Sequence, residues 1–99
     1  MKFEELGRIV LEKKIPVHSR RIWFFYYVHK DKYDTVEEFL DSGFTICTNP
    51  NKYGDPIVPN WESEFIRTPN VGRKSLEVFK EILRECGYYI RTGIEYQND

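Results

Sequence analysis

Helices dominate the fold the sequence predicts, and three observations carry that expectation. Apolar residues recur at helical spacing in residues 2–13 and again in residues 71–86. A capping signature at Asp34 and Thr35 opens another such run. Residues 44–60 hold three prolines, three asparagines and a glycine, a composition that suits a loop. At 99 residues the chain is expected to form one small domain.

In residues 2–13, Phe3, Leu6, Ile9 and Val10 share a face, with Glu4, Glu5, Arg8, Glu12 and Lys13 largely elsewhere. Gly7 lowers the helix propensity of this segment. Pro16 disfavours helical geometry at Ile15 and breaks the helix. Residues 23–27 are five consecutive aromatics, which hide any period. Propensity there favours a strand. Ser19 as an N-cap, with Ile22, Tyr26 and His29 down one stripe, favours a helix. The pattern alone supports both.

Val36, Phe39 and Leu40 form the apolar face of a helix that Glu37 or Glu38 can close with a capping box, and Gly43 ends it. Residues 44–60 read as a loop with a short extended piece at "FTICT". A loop this long in so small a domain is uncommon, which points to a functional role. Asn60 caps a short helix, "WESEFIR", and Pro69 stops it. The last helix starts near Val71. Leu76, Phe79, Leu83 and Cys86 form its buried stripe, widened by Val78 and Ile82, and Gly87 is the expected left-handed cap. Arg73 with Glu77, Glu77 with Lys80 and Glu81 with Arg84 are spaced for exposed ion pairs, each worth about 0.3 kcal/mol. Tyr88, Tyr89 and Ile90 are expected to pack before a fraying tail over residues 91–99.

The composition, 40% hydrophobic and 31% charged, is that of a soluble globular chain. The 16% aromatic content supplies much of the burial a small domain needs. No apolar run approaches a membrane span, so no membrane association is expected. "MKFEELGRIV" carries Glu4 and Glu5 and no small-residue cleavage site, so no signal peptide is read. Cys47 and Cys86 show no CxxC spacing and no histidine cluster; reduced structural thiols and a cytoplasmic location are expected. His18 and His29 are too few and too isolated for a metal site. Cys47 has no nearby base, the acidic residues are not paired in a cleft pattern, and no phosphate loop or dinucleotide fingerprint occurs. Tyr26, Tyr27 and Tyr53 can stack on bases or belong to an aromatic core. The expectation is a protein that is not an enzyme and holds no metal or cofactor.

A net charge of -1 offers no bulk attraction for nucleic acid, so anion binding has to come from a local patch. "RTPNVGRKSL", residues 67–76, is the candidate. A short helix, a tight turn and a glycine at the start of a long helix make a helix-hairpin-helix pattern. The first amides of a helix lack internal partners, and the helix dipole adds positive charge there. A glycine lets a phosphate approach those amides, and Lys74 and Ser75 can add a charge and a hydroxyl. Such a site holds phosphate without reading bases. The alternative is structural: Asn70 caps the helix, Gly72 permits tight packing, and Arg73 and Lys74 are a solvated face. That alternative leaves the basic pair at a helix N-terminus unexplained.

"FIRTPNVGRKSLEVFKEILRECG" closely resembles the C-terminal domain of the bacterial RNA polymerase alpha subunit. Phe65, Ile66, Arg67, Thr68, Pro69, Asn70, Val71, Gly72, Arg73, Lys74, Ser75 and Leu76 match that family's pattern in order, and the likeness covers about a quarter of the chain. "TVEEFL" is similar to another helix of the family, and "IPVHSRRI" more weakly to its first-helix entry. The resemblance implies a compact all-α bundle of short helices built from helix-hairpin-helix units, and a helix at residues 19–29. It implies binding to double-stranded DNA in A/T-rich minor grooves, with contacts to transcription regulators and sigma factor. Gly72, Lys74 and Ser75 carry over to phosphate binding, with Asn70 shaping the turn and Arg73 beside them.

The sequence departs from the family in several places. His18 falls where the family has its minor-groove arginine, with Arg20 and Arg21 close by as substitutes. The family's nearby asparagine falls at Arg21, and an acidic residue of its last helix at Val78. Residues 41–59 look like an insertion, and residues 1–14 have no counterpart. The resemblance thus implies a free-standing relative, of the kind a phage or mobile element encodes. The main alternatives are a module that binds RNA polymerase, sigma factor or another regulator through the 44–60 loop without binding DNA, and an accessory of a repair or recombination enzyme.

Overall fold

The computed structural model describes residues 1–46, 57–69 and 71–90. Among them run α1 (Phe3–Lys13), α2 (His18–His29), α3 (Val36–Leu40), β1 (Phe44–Ile46), β2 (Ile57–Pro59), α4 (Asn60–Arg67) and α5 (Gly72–Glu85). Cys47, Tyr53, Asn70 and the 91–99 tail lie outside the described residues.

The expected all-α class is corrected: β1 and β2 pair antiparallel, with Phe44 opposite Pro59, Thr45 opposite Val58 and Ile46 opposite Ile57. The short extended piece expected at "FTICT" is present as β1, and the reading of residues 57–59 as loop is corrected, since they form β2. The prolines that suggested a loop do not prevent pairing here. The Asn60 amide donates to the Gly43 carbonyl at 2.8 Å. In an antiparallel ladder the next pair, Phe44 with Pro59, is then of the non-hydrogen-bonded kind. The missing N–H of Pro59 therefore costs no ladder bond. Val58 and Pro59 are buried, so β2 packs inward, whereas Ile46 of β1 is exposed.

The aromatic run of residues 23–27 lies inside α2. Its period was unreadable because aromatics occupy every side of the helix. Phe25 is buried, Trp23 and Tyr26 are half-buried, and Phe24 and Tyr27 face solvent. Ser19 is not the N-cap; Val17 takes that position. The Ser19 hydroxyl instead accepts the Ile15 amide at 2.9 Å.

Phe3, Leu6 and Val10 of α1 join Ile22 and Phe25 of α2, Val36 and Phe39 of α3, Trp61 and Phe65 of α4, and the apolar stripe of α5 in one core. Phe79 is central: its ring stacks on Phe65 at 5.4 Å and meets Trp61 edge-on at 5.7 Å. Gly7 is buried where α1 crosses α2, and a Cβ there would lie 2.6 Å from the Tyr26 ring. Its low helix propensity is thus offset by the close approach it allows.

The caps follow local chemistry. Thr35 accepts the Glu38 amide at 3.1 Å, and the Glu38 carboxylate reaches back to the Asp34 amide at 3.3 Å. Asn60 makes no side-chain cap; its amide group donates to the Ser42 carbonyl at 2.6 Å. Gly87, at φ 92°, closes α5 with the Gly87 and Tyr88 amides on the Arg84 and Leu83 carbonyls, at 2.9 and 3.1 Å. Of the three expected ion pairs on α5, Glu77 with Lys80 (3.9 Å) and Glu81 with Arg84 (2.7 Å) occur among the described residues.

Candidate functional site

Thr68 ends α4 with its hydroxyl donating to the Glu64 carbonyl at 2.8 Å, and Pro69 prevents continuation. Val71 is buried at the N-cap of α5 and brings no side-chain oxygen. Gly72 follows at φ 73°, a left-handed conformation that disfavours any Cβ. The chain thus enters α5 by a sharp turn that leaves Gly72, Arg73 and Lys74 exposed. Asn70, expected to shape this turn, lies outside the described residues.

The N-terminus of α2 lies against this turn. His18 Nδ1 and Ser75 Oγ meet at 2.9 Å, 57 residues apart in sequence. The Arg21 guanidinium stands beside Gly72, its Nη1 4.0 Å from where a Cβ would sit. The structure thus brings together His18, Arg21, Gly72, Arg73, Lys74 and Ser75, which the sequence had placed at two distant points. Ser75 is 0% exposed, so its hydroxyl holds the His18 ring from below and does not face solvent. His18 is half-buried, with one ring nitrogen already engaged. Ser75 thus lies beneath the surface, while His18 is held at its edge.

The electrostatics are one-sided. Neither α2 nor α5 carries an acidic residue in its first turn. Each helix start carries a partial positive charge of about half an electron from the helix dipole, although at α2 the His18 and Ser19 amides are taken by the Pro16 and Ile15 carbonyls. Arg20, Arg21, Arg73 and Lys74 are exposed there, and among the described residues no carboxylate pairs with any of them. Cations placed at helix N-termini oppose the dipole. A fold that gathers this much like charge without internal neutralisation suits an external anion.

The segment before α2 is strained. After Lys14 caps α1 at φ 52°, Val17 takes φ 69° and ψ -49°, with the His18 amide on the Pro16 carbonyl at 2.7 Å. A β-branched residue in such a turn costs about 1–3 kcal/mol. The turn aims the first residues of α2 at α5.

Elsewhere, titratable side chains tie elements together. Glu64 of α4 accepts from Tyr33 Oη at 3.2 Å, forms an ion pair with Lys32, and lies 4.0 Å from His29 Nε2. Burial first, then the Glu64 charge, pushes the Tyr33 phenol up. Among the described residues, no group of three His, Cys, Asp or Glu is placed to hold a metal ion. Cys86 is half-buried beside the core. Among the same residues, no helix is long and apolar enough to cross a membrane.

The burial of Ser75 had a signal in the sequence: it precedes Phe79 and Ile82 by four and seven residues, on the helical stripe that α5 buries. No family model matches the chain, and none of the solved structures matches it significantly.

Proposed function

We propose that the protein is a non-enzymatic, cytoplasmic DNA-binding module associated with transcription. One observation carries this reading: the starts of α2 and α5 adjoin, joined by His18 and Ser75, and present Arg21, Arg73 and Lys74 with no carboxylate in either first turn. Arg73, Lys74 and the exposed amides after Gly72 would hold one phosphate. Arg21, and Arg20 one step around α2, would reach the neighbouring phosphates or the rim of an A/T-rich minor groove, whose negative potential attracts arginine. His18 and Ser75 would keep the two helix starts in register. The likeness of residues 65–87 to the polymerase alpha C-terminal domain supports the same reading for the α4–α5 hairpin.

The experiment is fluorescence anisotropy with A/T-rich and G/C-rich duplexes across a salt series. Binding that weakens with salt and favours A/T-rich DNA is the expected outcome. No binding to either duplex at low salt would overturn the proposal.

A second reading has an observation in its favour. Phe24, Tyr27 and Val28 leave much of α2 apolar and exposed, which suits a module that binds RNA polymerase, sigma factor or another regulator and not DNA. Co-purification with polymerase, lost on substituting Phe24 and Val28 by Ser while DNA binding is absent, would select it.

A further inference from the structure

We propose that the corner between the end of α1 and the start of α2 is a docking groove for a short acidic segment of another protein, in which apolar side chains are flanked by carboxylates. The proposal does not rest on DNA binding.

Leu11, Val17 and Trp23 supply the apolar surface of this groove, and Lys14, Arg20 and Arg21 its charge. Leu11 is 47% exposed and Val17 58%, so neither is core spilling slightly outward. No acidic residue lines the groove. Among the described residues, none of its three cations has a carboxylate partner. The one hydroxyl beside it, on Ser19, is occupied by the Ile15 amide. The groove therefore offers apolar contact and positive charge, and little neutral hydrogen bonding. Its complement is a chain segment with aliphatic or aromatic side chains and carboxylates. A nucleic-acid duplex matches the charge alone, because it has no apolar side chain to set against Leu11 and Val17.

The backbone adds a second observation. Lys14 and Val17 are the two non-glycine residues with positive φ among the described residues, and both border this groove. The Lys14 conformation is explained by capping, since its amide returns to the Leu11 carbonyl at 3.3 Å. Val17 sits in the turn that the His18 amide closes on the Pro16 carbonyl at 2.7 Å. A glycine would fit its turn without strain, and the isopropyl group it carries there is not buried. Strain held at an exposed apolar side chain fits a contact made outside the fold.

The test is a titration of the full chain with a fluorescein-labelled peptide in which Leu and Phe lie between Asp and Glu residues. Two control peptides replace the apolar pair by Ser, or the acids by Lys. Saturable binding of the first peptide is expected, with both controls weaker by about tenfold or more. Leu11→Ser and Arg20→Glu should each weaken it by about tenfold. Val17→Gly should weaken it similarly while the melting temperature holds or rises, a combination that loss of structure would not produce. Equal binding of the Ser control would show a general polyanion surface and overturn the proposal. So would undetectable binding of the first peptide, or unchanged binding by Leu11→Ser and Val17→Gly. Concentration-dependent dimers in sedimentation that Leu11→Ser abolishes would make the occupant a second copy, and would also overturn it. Leu11→Ser should leave duplex DNA binding unchanged, so the two proposals fail separately.

Discussion

His18 Nδ1 and Ser75 Oγ, 2.9 Å apart, join the first turn of α2 to the first turn of α5. Ser75 is fully buried, so the hydroxyl has this ring as its partner and no access to a ligand. Ser75→Ala should lower stability by about 1 kcal/mol, read by denaturant unfolding, because a partly buried ring nitrogen loses its partner. The salt slope of DNA binding should stay as in the parent protein. Weaker DNA binding at every salt concentration with unchanged stability would place the hydroxyl on the ligand instead.

Arg73 and Lys74 are exposed on the same turn and have the opposite expectation. Lys74→Ala should weaken binding to all duplex sequences alike and reduce the salt slope by about one counterion. Arg73→Ala should do the same. Anisotropy at several salt concentrations measures both, and a sequence-dependent loss would contradict the phosphate role.

Gly72 has the wrong backbone for a methyl group, with φ at 73°, and among the described residues only Arg21 comes within 4.0 Å of where its Cβ would sit. Gly72→Ala is expected to cost about 1–2 kcal/mol, from left-handed strain alone. Thermal unfolding checks this; no loss of stability would mean the turn can be re-formed at negative φ.

Gly7 presents the reverse case, since its φ is ordinary and the space is missing. A Cβ at this position would meet Tyr26 ring atoms at 2.6, 2.7 and 2.9 Å. Ala is the better helix former by about 1 kcal/mol. Overpacking costs about 1–3 kcal/mol. Gly7→Ala should therefore be net destabilising in denaturant unfolding. A gain in stability would show that Tyr26 moves freely and that the α1–α2 crossing is not set by this glycine.

Tyr88 donates to Glu37 at 3.0 Å. Burial, then the Glu37 hydrogen bond and charge, pushes its phenol from the ordinary 10 up to about 12. Folding thus favours the neutral phenol. That stabilisation is complete below pH 10 and is lost as pH rises from 10 to about 12. Tyr88→Phe should flatten the fall in melting temperature across this window, and a phenolate absorbance titration should lose its highest step. An unchanged alkaline melting profile would count against the contact.

Elements whose signals are local were legible in the amino-acid order. The 3.6-residue period of α1 and α5, a capping box from Asp34 or Thr35 with Glu37 or Glu38, and the glycine that ends α5 need only neighbours a few residues away. The stop at Pro69 and the turn into α5 at Gly72 are of the same kind. Tertiary structure decided what depends on distant partners. "FTICT" showed an extended piece where β1 lies, but β2, three residues ending in a proline, did not declare itself, and the two strands exist through their mutual register. The five aromatics of α2 had no readable period, so only the core against Phe39, Phe65 and Phe79 selects Phe25 for burial. At the candidate site, the sequence named the residues and set Ser75 beside Lys74 on the phosphate, but it did not show the burial of Ser75. Ser75 is buried against His18 because the face of α5 that carries Ser75 also carries Phe79 and must turn inward. The placement of Arg21 beside Gly72 likewise follows from the packing of α2 on α5, a contact between segments about 50 residues apart that no local pattern encodes.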